Sequence, residues 1–223
     1  MLTLIASLLS IGSLSVQEWG YIAAKARRTC QKVHVGQVFG ICVEKGHELL
    51  SGSKGRRHKG RYVYQGNDVK DERGNFAVFQ ELSSNPATMQ AVKTVSAYGC
   101  LPGNKAEQRD AEQSYVQSDF DHSFAETWAR IPREYWPRKW IELGLKDAVV
   151  RLRKALYGHP DAGGLWERHC EAHLRTVGFT PIENWLSTYW HKDLQLLLVV
   201  YVDNFAMSGP SQNLENHLEG RWR

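Results

Sequence analysis

The sequence predicts an α+β fold, and three patterns carry that prediction. Apolar residues alternate with period two in several short segments, which marks strands. Other segments open on cap residues and close on glycine, which marks helices. Two apolar runs near the C-terminus lie a few polar residues apart, which makes an antiparallel hairpin and not a βαβ crossover.

Taken in order, Glu18 to Gln31 reads as a helix whose last turn carries Lys25, Arg27 and Arg28, where cations meet the negative end of the helix dipole. Val33, Val35, Phe39, Ile41 and Val43 follow on one face of a strand. Next comes SGSKGRRHKGRYVYQG, a glycine-broken loop with Lys54, Arg56, Arg57, Lys59 and Arg61, then a strand over Arg61 to Gln65. As a charge cluster it is a solvated loop; as a site it would be a phosphate-facing fingertip. Ser84-Asn85-Pro86 opens a helix expected to run to Tyr98 and stop at Gly99. CLPGNK is a turn, and EQRDAEQSYVQS reads equally as a strand end or a helix start. Thr127 to Ile131 and Val149 to Leu152 read as strands, with Pro132 and Pro137 bracketing a loop between them. Asp161 to Val177 is a helix closed by Gly178. Ser187 to Trp190 and Leu194 to Val202 form a hairpin, Phe205 to Ser208 returns after Asp203-Asn204, and a last helix begins near Ser211.

Composition sets the bounds. With 223 residues, 42% apolar and 23% charged, the chain is globular in type and long enough for one or two cores. A net charge of +4 permits a polyanionic partner without requiring one. Eight Trp and nine Tyr serve cores and could also stack on bases. Cys30, Cys42, Cys100 and Cys170 show no CxxC spacing, which reads as reduced thiols inside a cell. The first sixteen residues, MLTLIASLLSIGSLSV, are apolar and short for a membrane span. No Lys or Arg precedes them and no small-x-small cleavage site follows, so a buried segment is expected and secretion is not.

Two carboxylates carry the candidate chemistry. Asp203 stands at the tip between two apolar strands, in LLLVVYVDNFAMSG. Turns favour Asp for their own reasons, so Asp203 alone says little. Asp110, after a strand end in QRDAEQSYVQS, is the candidate partner, although Glu107, Glu112, Asp119 and Asp121 are close by. Two carboxylates from different strands could hold a pair of Mg²⁺ ions for phosphoryl transfer. His169 and His173 have i,i+4 spacing, but Glu171 lies between them out of HExxH register, so a polar helix face is expected there.

KALYG (Lys154 to Gly158), Trp166-Glu167, Val177 to Phe179 and LLLVVYVDN together resemble the reverse transcriptase of copia-type retrotransposons. That family reads KALYGLKQ, a Trp within a helix, Gly-Phe, then LLVYVDD. Upstream, HKGRYVYQG (His58 to Gly66) resembles its YKARLVAKG, and DAEQSYVQS (Asp110 to Ser118) its DVKTAFLNG. The resemblance covers about residues 58 to 215. It implies fingers and a palm whose antiparallel sheet packs on helices, ending before the thumb. Residues 58–223 would form this part, 17–57 an extension, and 1–16 an apolar segment of unassigned role.

By the same resemblance, Asp110 and Asp203 would be catalytic and bind Mg²⁺ (or Mn²⁺), with Asn204 and the Ala111 carbonyl as further metal ligands. Tyr115 matches the family's gate against a ribose 2′-OH. Lys59 and Arg61 would face the incoming triphosphate, and Asp161 would lie beside it. The implied reaction joins a deoxynucleotide to a primer 3′-OH on an RNA or DNA template. The implied partners are template-primer, deoxynucleoside triphosphates, and the thumb and ribonuclease H segments of a parent polyprotein. The implied setting is intracellular: cytoplasm, nucleus or virus-like particle, with no membrane. Two positions depart from the pattern. The second Asp of YVDD is Asn204, which offers an oxygen without a charge. The glutamine of KALYGLKQ is Asp161, an anion where a triphosphate would bind. Both suit an alternative, a decayed remnant that keeps the fold and some nucleic-acid binding without catalysis.

Overall fold

The computed structural model describes residues 16–79, 86–121 and 124–218, with side chains to residue 214. The apolar segment 1–15 and the expected cap at Ser84 and Asn85 lie outside the described residues. The chain divides into two compact units, Met1–Glu81 with Asp119–Ala162 and Leu82–Ser118 with Gly163–Arg223. Each combines strands and helices, so the α+β class stands.

The first unit is built on a six-stranded sheet. Its strands are β1 (Val16–Glu18), β2 (Val33–Lys45), β3 (Arg57–Tyr64), β4 (Lys70–Asp71), β6 (Glu126–Arg130) and β7 (Ala148–Arg151). They lie in the order β1-β7-β6-β2-β3, with β4 also on β2. Only β2 and β6 run parallel; the other pairs are antiparallel. Helix α1 (Trp19–Thr29) ends on Cys30 at φ 53 and lays Ile22 and Ala26 over Val33, Val35, Trp128 and Val149. Burial of such side chains, at about 25 cal/mol per Å² of apolar surface, is what holds a single amphipathic helix on a sheet.

The strand face read from Val33 to Val43 is buried only in its first half. Val33 and Val35 are fully buried, but Phe39, Ile41 and Val43 are exposed by 38, 40 and 49%. The physical reason is partnership. Beyond Val38 strand β2 pairs with β3 alone, and the two run on as a ribbon to Lys45↔Arg57. For the same reason β3 starts at Arg57, four residues before the position expected, since the ladder continues through the basic residues. Within residues 17–57, strands β1 and β2 belong to the same sheet as β3.

Gly158 of KALYG has a steric role here. It sits at φ 87, and a Cβ would lie 2.2 Å from the Tyr64 carbonyl oxygen. The chain passes so close because the Tyr64 N–H donates to the Tyr157 carbonyl at 2.7 Å. No side chain fits that approach.

The second unit is a five-stranded antiparallel sheet in the order β5-β11-β10-β9-β8. Its strands are β5 (Asn104–Asp110), β8 (Phe179–Pro181), β9 (Thr188–His191), β10 (Leu196–Tyr201) and β11 (Asn204–Pro210). Helices cover both faces. On one face α2 (Met89–Gly99) brings Ala91 and Val95 against Leu197 and Val199. On the other, α5 (Ala162–Thr176) brings Trp166, Cys170 and Leu174 against Leu196, Leu198 and Val200. Leu214 of α6 (Ser211–Leu218) joins that second cluster. Strand side chains point alternately to the two faces, so a strand covered on both sides is apolar without a break. That explains LLLVV. At the sheet edge, β5 carries Lys105, Glu107 and Arg109, charges that discourage pairing with another chain.

Helix α2 begins at Met89, three residues past Pro86, because Thr88 is its cap: the Thr88 hydroxyl accepts from the Ala91 N–H at 3.2 Å. The segment 110–117 takes both of its expected readings in turn. Strand β5 ends at Asp110, and a single helical turn α3 (Ser114–Gln117) follows after Gln113 at φ 53. Between Pro132 and Pro137 lies a 3₁₀ turn, and α4 (Arg138–Glu142) starts directly after the second proline.

Candidate active site

Strands β10 and β11 are joined by a two-residue turn. Tyr201 pairs with Asn204, which leaves Val202 and Asp203 at the tip. Of these two, only Val202 has a positive φ, 58°. Tight hairpins favour positive φ at the first central position because it matches the strand twist, and they usually place glycine there. A β-branched residue in this region is an outlier that costs roughly 1–3 kcal/mol and persists only where surrounding contacts enforce it.

Strand β5 lies on the outer side of β11, in the register Asn204↔Asp110. The Ala111 N–H donates to the Asp203 carbonyl oxygen at 2.7 Å, so the end of β5 is fastened to the hairpin tip. Two acidic residues 93 positions apart in the chain thus lie at one corner of one sheet. The direct cross-strand partner of Asp110 is Asn204, and Asp203 is the neighbour in the turn. Directly opposed residues share a sheet face with Cβ atoms about 4.5–5.5 Å apart. The position that lacks a charge is therefore the one that faces Asp110 squarely. The Asn204 side-chain amide also donates to Asp203 Oδ1 at 3.0 Å.

Tyr115, in α3, is partly buried against the cluster that contains Trp166, Val200 and Phe205. It also lines a cavity of about 30 Å³ together with Gly163, Trp166, Glu167, Val200 and Val202. That volume has room for one or two water molecules. Ala111 is packed at the edge of the same cluster. The other expected residues belong to the first unit. Lys59 and Arg61 are exposed on β3, two positions apart and so on one face, opposite Val43 and Ile41. Arg57 lies on that face as well. Arg56 is held away from it by a two-pronged ion pair to Glu44, at 2.6 and 3.0 Å. Asp161 lies just before α5, where its N–H donates to His159 Nδ1 at 3.1 Å. His169 stacks on Trp166, with ring centroids 6.0 Å apart. Among the described residues no group of three or more His, Cys, Asp or Glu side chains could hold a metal ion.

One contact had no signal in spacing or composition. The Trp166 Nε1–H donates to the Val202 carbonyl oxygen at 2.6 Å. Trp166 stands out in the sequence only as part of a motif, and its target is a backbone atom 36 residues away.

No family model matches the chain. Over 103 residues, 46% of its length, it is 26% identical to the Transposon Ty1-DR4 Gag-Pol polyprotein of Saccharomyces cerevisiae. The Truncated transposon Ty1-A Gag-Pol polyprotein of the same organism matches equally over 103 residues. This chain is similar, in part, to transposon Gag-Pol polyproteins. It spans 6% of the first relative's length and 8% of the second's. Among solved structures, the telomerase of Candida albicans in complex with a TWJ fragment of telomeric RNA aligns with 90% of this chain and 41% of its own. Identity there is 10% and the TM-score 0.38. Among the described residues no helix is long and apolar enough to cross a membrane.

Proposed function

We propose that the chain is the fingers and palm of an RNA-directed DNA polymerase of a copia-type retrotransposon, with its reaction centre at the Asp110–Asp203 corner. The single observation that supports this most is the register of β5 against the hairpin, which joins two acidic motifs from distant parts of the chain. The partial likeness to Ty1 Gag-Pol polyproteins supports it independently.

The corner offers oxygen donors only: two carboxylates, the Asn204 amide oxygen and the Ala111 carbonyl. That donor set suits a hard divalent cation such as Mg²⁺ or Mn²⁺. In this reading Asp110 and Asp203 hold it, with Asn204 and Ala111 as lesser ligands, and it would supply charge neutralisation for phosphoryl transfer. The chain's own contribution is positioning. The sheet fixes Asp110, the strained turn fixes Asp203, and Tyr115 leans on the same core to exclude a 2′-hydroxyl. Lys59 and Arg61 bind triphosphate oxygens, for which the Arg fork is well shaped. Template-primer and deoxynucleotides are the partners, other polyprotein segments complete the grip, and the setting is intracellular.

The second reading, a decayed remnant that folds but does not polymerise, is favoured by Asn204 at the position directly opposite Asp110 and by Asp161. One assay separates the two: oligo(dT) extension on poly(rA), with Mg²⁺ or Mn²⁺, by the chain alone and fused to a thumb. Extension abolished by Asp110→Ala and by Asp203→Ala is the result expected for a polymerase. Extension that survives both replacements rules out this centre. No extension by either form, with nucleic-acid binding retained, establishes the remnant.

A further inference from the structure

The geometry points to Trp166 as the positioning residue for Asp203, a role that rests on the catalytic reading of Asp203 proposed above. The argument begins with the peptide unit. The Val202 carbonyl and the Asp203 N–H belong to one rigid plane. Whatever fixes that carbonyl also fixes the backbone from which the Asp203 side chain departs. Trp166 fixes it with a hydrogen bond of 2.6 Å.

The bond is worth making because the turn would otherwise relax. Val202 at φ 58 has a branched side chain where glycine is normal. A turn about the Val202 N–Cα bond towards negative φ would relieve that strain, and it would carry the Val202 carbonyl and the Asp203 backbone with it. The indole cannot follow such a rotation. Trp166 is 6% exposed, and its ring meets Phe205 of β11 edge-on at 6.5 Å and is stacked by His169 on its own helix. The clamp therefore comes from α5, outside the hairpin, and acts on the one turn residue whose conformation is unfavourable.

This makes a prediction that simple packing does not. Trp166→Phe keeps an apolar ring and deletes the N–H. Val202→Gly removes the cost of positive φ, since glycine populates that region freely. The experiment measures amide hydrogen exchange at Ala111, whose N–H is bonded to the Asp203 carbonyl, in the full chain. Trp166→Phe is expected to speed that exchange about 5- to 150-fold, the population change that follows from releasing strain of this size. Adding Val202→Gly should reverse most of the effect. Single-nucleotide incorporation supplies a second readout: the rate at saturating nucleotide falls by a similar factor, the nucleotide KM stays within about two-fold, and the double variant recovers.

Unchanged Ala111 exchange in Trp166→Phe overturns the inference. So does a loss that Val202→Gly leaves in place, which would mean that the indole only fills space. If the unaltered chain incorporates no nucleotide, the polymerase reading fails while the exchange measurements still decide the role of Trp166.

Discussion

Asn204→Asp is the most informative single change at the corner. It places a charge at the position directly across from Asp110. At a cross-strand separation of ~5 Å, two like charges repel by roughly 0.8 kcal/mol where water screens them fully, and by more where it does not. Asp110 and Asn204 are both exposed, so the lower figure applies. The change also replaces the amide that donates to Asp203 Oδ1, which leaves three carboxylates at the corner. Without divalent ions the variant should therefore be less stable by about 1 kcal/mol, or about 2–4 °C in Tm for a chain of this size. With Mg²⁺ at a hundred times its dissociation constant, binding to the folded state alone adds about 2.7 kcal/mol, which more than offsets the loss. The assay is thermal unfolding of both forms in EDTA and in a Mg²⁺ series. Asn204→Asp should melt lower in EDTA and show the larger rise with Mg²⁺. Equal Mg²⁺ responses in the two forms would refute the claim that this corner is a cation site whose strength depends on the residue opposite Asp110.

Three further outcomes follow from the packing. Thr88→Ala removes the side-chain cap of α2 and should cost about 1 kcal/mol in denaturant unfolding. Cys170 is buried, and that burial pushes its thiol up to about 12, while Cys30, Cys42 and Cys100 are exposed. A thiol reagent at pH 8 should therefore label three cysteines in the folded chain and the fourth only on unfolding. Because the folded-state pKa is the higher one, stability from this group is intact below about pH 9 and falls as pH rises towards 12. His34 is buried between Phe79 and Phe124, and desolvation lowers its pKa against the opposing pull of Asp71 and Glu72. Its neutral form belongs to the folded state, so stability should fall as pH drops below the ordinary imidazole range, and His34→Phe should flatten that fall in acid melts.

The chain's own order of residues was enough to define the elements wherever the physics is local. Period-two alternation, Gly178 after α5 and the apolar run into Asp203 each depend on neighbours within a few positions, and the helices and strands they imply are present. Asp110 ends β5 and Asp203 stands in the turn after β10, and the sequence singles them out only through the resemblance of their surroundings to a known family's motifs. What the sequence could not determine was pairing. Whether Phe39, Ile41 and Val43 are covered depends on which strands lie beside β2, and past Val38 only β3 does. Which residue faces Asp110 depends on the β5–β11 register, a property of two strands together. The Trp166 bond to the Val202 carbonyl depends on a helix docking against a turn 36 residues later, and no local pattern encodes it. Propensity acts over a turn of helix or a pair of strand residues, while register, coverage and strain are set by surfaces that meet only after the chain has folded.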